Sequence, residues 1–279
     1  METKVSIKEL KSKALQLRYN LLEMIGVGKA GHLGGSSSLA EIMAVLYFMK
    51  MNIDPRNPHD PDRDRLILSK GHAALIQYAA LCELGYFPRS ELRKVKSLNG
   101  LLQGHPDLSI PGIEAVTGSL GQGLSIGVGM ALALRLDKRA SRVYVIMGDG
   151  EQSEGQLWEA AMAAANFKVD NLTAFIDWNK IQATGPTKEI FSIPDLHLKW
   201  SSFGWEVIQV DGHDIGEIIE AIEKAEKVKG KPCLVLLDTI KGKCFSFAEN
   251  NAAYHNGILD DKKFEQAMRE LDALKAGLE

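Results

Sequence analysis

Apolar residues return every three to four positions over residues 7–29, 39–51, 73–84, 120–136, 156–167, 215–228 and 260–274, the spacing that gives a helix one buried face. Between these stretches lie five short apolar runs, "RLILS", "RVYVIMG", "NLTAFIDW", "WEVIQVDG" and "PCLVLLDT", each rich in residues suited to buried strands. Four of the five are separated by helices of crossover length, the connection that parallel strands need. The order predicts an α/β fold, a mainly parallel sheet with helices on both faces. No repeat, low-complexity tract or linker interrupts residues 1–279, which read as a single domain, and "DPRNPHDPDRD" reads as a surface loop.

Composition leaves that picture intact and narrows the function. With 45% hydrophobic and 25% charged residues over 279 positions, the chain has an ordinary globular balance and enough length for a substantial core. A formal charge of -3 offers no basic footprint for nucleic acid. No apolar run reaches the roughly 18 residues of a membrane span. The opening "METKVSIKELKSKALQLRYN" is charged and amphipathic and lacks a signal-peptide apolar core. Cys82, Cys233 and Cys244 have no ligand spacing and are odd in number, which fits reduced thiols and a cytoplasmic location.

The candidate chemistry begins where "RVYVIMG" ends, with Asp149 between two glycines. Gly-Asp-Gly after a strand is ordinary turn chemistry, and a nucleotide site or a metal ligand are equally open from the tripeptide alone. A second polar group at the end of the next strand separates these readings: Asn179 stands thirty residues on, one strand-helix-strand unit away. Ligands of such sheets bind beyond the carboxyl ends of the strands, and both side chains belong to that end. A carboxylate, an amide oxygen and a backbone carbonyl just past Asn179 suit Mg²⁺, which keeps phosphate and water oxygens for its remaining positions. Gly150 leaves room for backbone to approach an anion.

These residues also resemble a known family. "GDGEQSEGQLWEA" followed by "DWNKIQ" is similar to the thiamine diphosphate motif of the ThDP enzymes, specifically the transketolases. "GHLGGSSS", "LILSKGHAALIQYA", "QGHPD", "TGSLGQGLSIGVGMALA" and "YHNG" extend the likeness along nearly the whole chain, in the family's order. The resemblance implies a ThDP diphosphate-binding domain. It implies Asp149, Asn179 and the Ile181 carbonyl as Mg²⁺ ligands, and His72, Gly150 and His255 as diphosphate contacts. Gly118 and Leu120 match positions beside the aminopyrimidine, while His32, His105 and His255 match histidines that face the donor sugar. Glu154 and Glu159 match acids near the subunit interface.

Length is the main departure. Single-chain transketolases continue into a pyrimidine-binding and a C-terminal domain, and no residue here matches the glutamate that activates the aminopyrimidine. The resemblance therefore implies the N-terminal subunit of a two-chain transketolase, assembled with a C-terminal subunit into a heterotetramer. Its reaction would transfer a two-carbon ketol unit from a ketose phosphate to an aldose phosphate. Alternatives are a split enzyme for a sulfonated or branched sugar, and an inactive ThDP-binding or scaffolding subunit. The α chain of a 2-oxoacid dehydrogenase fits the "GHLGG", "SKGH" and "GHPD" histidines less well. Smaller departures are Ala183 and Thr184 after "KIQ", and Cys244 where the family commonly has glycine. Gly121, Gly123 and Gly127 form a dinucleotide-like pattern, but no strand precedes it, so close packing is the expected role of Gly127 and Gly129. His213 is expected to shape a loop whose Asp214 caps the next helix, and His59 and His197 to be solvated or capping.

Overall fold

A computed structural model describes residues 5–278 of the chain. The first four residues of the charged opening segment, and residues 1–4 and 279 of the expected domain, lie outside the described residues. The five apolar runs form five strands: β1 (Arg65–Leu68), β2 (Val143–Gly148), β3 (Leu172–Trp178), β4 (Glu206–Asp211) and β5 (Cys233–Asp238). They pair in the order β1-β2-β3-β5-β4, parallel at every junction.

The helices around the sheet include α1 (Ile7–Ile25), α2 (Ala40–Val45), α3 (Ala74–Leu84), α4 (Gln122–Leu136), α5 (Gly155–Asn166), α6 (Ile215–Lys227) and α7 (Asp261–Leu278). Each falls on one of the periodic stretches. The second stretch is not uniform, because α2 runs on into a wider π-type turn, Leu46–Lys50. The start of α1 is set locally: Ser6 accepts from the Glu9 N–H at 3.2 Å, and the Glu9 carboxylate accepts from the Ser6 N–H at 2.6 Å.

Strand residues alternate between two cores because successive side chains leave opposite faces of a sheet. Leu66, Leu68, Tyr144, Ile146, Phe175, Val235 and Leu237 pack with α1, α2, α3, α6 and α7. On the other face, Ile67, Val145, Met147, Ala174, Ile176 and Leu236 pack with α4, α5 and the indoles of Trp200 and Trp205. Gly127 lets α4 lie close to β2, since a β-carbon there would stand 2.5 Å from Val145 Cγ2. Gly129, expected to serve the same purpose, faces open space in this chain. Asp214 caps α6 as expected, accepting from the N–H groups of Gly216 and Glu217. No helix among the described residues is long and apolar enough to cross a membrane.

Candidate functional site

All strands point the same way, so the loops that follow them meet at one edge of the sheet. There β1 delivers Lys70 and His72, β2 delivers Asp149, Gly150 and Glu151, β3 delivers Asn179 and Ile181, and β5 delivers Lys241. These residues line a cavity of about 360 Å³ together with Gly118, Leu120, Ala183 and His255. A two-residue antiparallel bridge, Ala30–Gly31 with Gly257–Ile258, sets the loop of His32 beside that of His255.

Asp149 is buried and closes the end of β2. Its carboxylate accepts from the N–H of Gly150 at 2.7 Å and from the N–H of Lys180. Burial, and then the negative charge of Asp177, push the Asp149 carboxyl up to about 6. Asn179 donates to Asp177 at 2.8 Å, and its Oδ1 accepts from the Ile181 N–H at 3.1 Å. The Ile181 carbonyl accepts from the Lys241 ammonium at 2.9 Å. The three oxygen donors expected for a metal thus converge on one wall. At Gly150 a β-carbon would stand 2.9 Å from Gln182 Cβ, so glycine there admits the neighbouring hairpin as well as leaving the cavity open.

Four histidines gather above this wall. Ring centroids are 5.2 Å apart for His32 and His72, 4.8 Å for His72 and His255, 5.5 Å for His32 and His255, and 6.4 Å for His32 and His105. Burial first, and nearby positive charge second, pull His32 and His255 down to about 4 and His72 to about 2, so these three rings are neutral near pH 7. His105 is exposed and stands outside the cavity, with its ring against the Cα of Gly118, where a β-carbon would come within 3.0 Å. Glu154 and Glu159 are exposed at the start and on the outer side of α5. His59 and His197 are exposed and remote from the cluster, and Thr184 is exposed beside Ala183.

Three charged residues that sequence reasoning passed over complete the site. Asp177 is fully buried and receives Lys70, Thr239, Ser38 at 2.7 Å and Asn179. Burial would raise its carboxyl, but these donors outweigh it and hold the group below its ordinary range. Lys241 is nearly fully buried and reaches His255 Nδ1 at 3.1 Å as well as Ile181. Burial and the neighbouring Lys70 lower its ammonium to about 8. Lys70 was visible in "LILSKGHAALIQYA", directly before Gly-His, and Asp177 opens "DWNKIQ", although neither motif tells which charges meet; Lys241 had no local signal. Glu151 is structural: it accepts from Ser69, from the Gly121 N–H at 2.8 Å and from the Gly148 N–H at 3.0 Å, stapling β1 and β2 to the start of α4. Cys244 has a φ of +73°, a left-handed conformation that accounts for glycine being common there.

Residues 11–274 match the family model described as transketolase, thiamine diphosphate binding domain. The chain belongs to the transketolase family. It is 47% identical over 265 residues to the 6-deoxy-6-sulfo-D-fructose transketolase subunit of Clostridium sp. (strain MSTE9), a likeness covering 95% of this chain and 96% of that one. An apulose-4-phosphate transketolase subunit from Phocaeicola vulgatus is 39% identical over 267 residues, covering 96% and 95%. Among solved structures, the Campylobacter jejuni transketolase superposes with a TM-score of 0.90 at 30% identity. That likeness takes in 96% of this chain but only 43% of the solved one, so the chain spans less than half the length of the transketolase it overlays.

Proposed function

We propose that the chain is the diphosphate-binding, N-terminal subunit of a two-chain transketolase, one domain over residues 1–279. A second chain carries the pyrimidine-binding and C-terminal domains. One observation carries the reading: Asp149, Asn179 and the Ile181 carbonyl converge on a cavity that also gathers Lys70, His72, Lys241 and His255. Likeness over nearly the full length of chains named as transketolase subunits supports it.

Mg²⁺ would be held by Asp149, Asn179 and the Ile181 carbonyl. All three are hard oxygen donors, and the high Asp149 pKa marks a carboxylate that a divalent cation would stabilise. Among the described residues no three His, Cys, Asp or Glu side chains are placed to hold a metal, so an amide and a carbonyl must complete any such set. His72, Gly150 and His255 would hold the diphosphate, with Lys70 and Lys241 adding positive charge, and Gly118 and Leu120 would flank the aminopyrimidine. When bound, thiamine diphosphate supplies the electron sink for carbon-carbon cleavage. His32, His105 and His255 hydrogen-bond sugar hydroxyls and move their protons. As neutral rings at pH 7, His32 and His255 are able to accept one. Glu154 and Glu159 lie where a second copy meets this one in a cytoplasmic heterotetramer.

The names of the relatives favour an unusual ketose over the common sugar phosphates. The Clostridium chain is named for a sulfonated fructose and the Phocaeicola chain for apulose 4-phosphate. The test is ketol transfer with Mg²⁺, thiamine diphosphate, ribose 5-phosphate as acceptor and a panel of ketose donors. The purified chain alone is expected to be inactive, and titrating in the partner restores turnover that saturates near equal amounts. 6-Deoxy-6-sulfo-D-fructose is expected to exceed xylulose 5-phosphate in kcat/KM. Robust turnover without a partner would overturn the two-chain reading. A preference for xylulose 5-phosphate would return the chain to ordinary sugar-phosphate metabolism.

A further inference from the structure

Behind the cavity, a line of buried polar groups joins α1 and α2 to the loop after β5. Arg18 is 2% exposed and grips the Glu41 carboxylate with two bonds, of 2.6 and 2.9 Å. Burial would raise the Glu41 carboxyl, but the Arg18 guanidinium and the hydrogen bonds from Arg18 and His213 hold it below its ordinary range. Glu41 Oε2 lies 3.0 Å from Nδ1 of His213, and Nε2 of the same ring accepts from the backbone N–H of Ile240 at 2.9 Å. A backbone N–H can only donate, so Nε2 carries no proton. Nδ1 carries it and donates to Glu41, which fixes both the neutral state and the tautomer. Ile240 immediately precedes Lys241, whose ammonium stands on the Ile181 carbonyl and on His255. The far side of that loop is tied by Gly242 N–H to the Gly34 carbonyl at 3.0 Å and by Ser37 to the Lys243 carbonyl.

We propose that His213 is a positioning residue of the cofactor site: its neutral imidazole bridges the Glu41 carboxylate to the Ile240 N–H and so fixes the backbone from which Lys241 reaches the cavity. This assignment goes beyond a loop-shaping role. It connects an ion pair between two helices to a lysine facing the diphosphate, and it rests on the reading of the cavity as a diphosphate site. Among the described residues the ring alone accepts from the Ile240 N–H, so losing Nε2 leaves that donor unmet and frees the loop on the side nearest Lys241.

Two substitutions divide the bridge. In His213→Asn the short amide keeps a donor for Glu41 and cannot reach Ile240. In His213→Gln the longer amide reaches Ile240 with its oxygen. Calorimetry of magnesium thiamine diphosphate binding to the chain assembled with its partner is expected to show about tenfold weaker affinity for His213→Asn, and an affinity within about threefold of wild type for His213→Gln. With Lys241→Ala as background, the Asn substitution is expected to change affinity less than about twofold, because the bridge acts through Lys241. The same loss in both backgrounds would reduce His213 to a residue that merely holds the fold, and no loss in the first would remove the proposal. Amide exchange at Ile240, read without any cofactor, is expected to accelerate in His213→Asn and stay near wild type in His213→Gln; unchanged exchange in the Asn variant would also overturn the bridge. If the wild-type chain, assembled with its partner, does not bind the cofactor, the diphosphate reading falls, and the exchange experiment still decides what His213 does.

Discussion

Asp149 and His105 stand at opposite ends of the proposed chemistry, and substituting them is expected to separate binding from turnover. Asp149→Ala or Asn179→Ala removes one of few protein oxygens available to a metal. Each should weaken magnesium-dependent thiamine diphosphate binding beyond the roughly 10–100-fold typical of losing a ligand's outer partner. His105→Ala lies outside the cavity and should leave cofactor affinity within a few-fold while sharply lowering turnover of the reconstituted enzyme. Titration calorimetry beside steady-state kinetics checks both, and the reverse pattern for His105 would remove it from the sugar side. These residues were legible because each adjoins glycine or a strand end and lies in a family motif. Asp177 opens "DWNKIQ", but its role, like that of Lys241, was hidden, because a charge near the end of an apolar run looks like turn chemistry until the strands are brought side by side. Only the sheet order β1-β2-β3-β5 sets Lys70, Asp177 and Lys241 into one field.

At the scale of elements, periodicity placed the seven helices of the periodic stretches and the five sheet strands to within a few residues, since most of those strands are continuous apolar runs and most helices show one wet face. The short helix Leu196–Ser202 and the two-residue strands had no such signal. Sheet order had no such signature: nothing in "WEVIQVDG" tells that β4 lies outside β5. Glycine roles were equally opaque, as Gly127 and Gly129 look alike in sequence. The structure predicts opposite responses for them. Gly127→Ala drives a β-carbon into Val145 and should destabilise the chain by about 1 kcal/mol or more despite its better helix propensity. Gly129→Ala meets nothing and should gain up to about 1 kcal/mol. Denaturant midpoints of the two variants would measure the contrast, and equal shifts would contradict the packing of α4 on β2.

Over the whole molecule, the histidine cluster makes stability depend on pH. His32, His72 and His255 are harder to protonate folded than unfolded, where their pKa is near 6.5. Below that value the unfolded chain binds more protons, so their contribution is fully present above pH 6.5 and is lost as pH falls toward about 4. Denaturant unfolding should therefore show lower stability at pH 5 than at pH 7.5, with a smaller difference in His72→Gln. An identical difference in that variant would deny the ring its buried, neutral state.

The antiparallel bridge between Ala30–Gly31 and Gly257–Ile258 joins a segment near the start of the chain to one near its end. On a ribosome, the loop carrying His32 emerges early and lacks its antiparallel partner strand until residue 258 has left the exit tunnel. A nascent chain can assemble much of its sheet before then, but the mouth of the cavity closes only after residue 258 has been made. Any product that terminates before Gly257 would thus carry the Asp149 and Asn179 wall without a finished site above it.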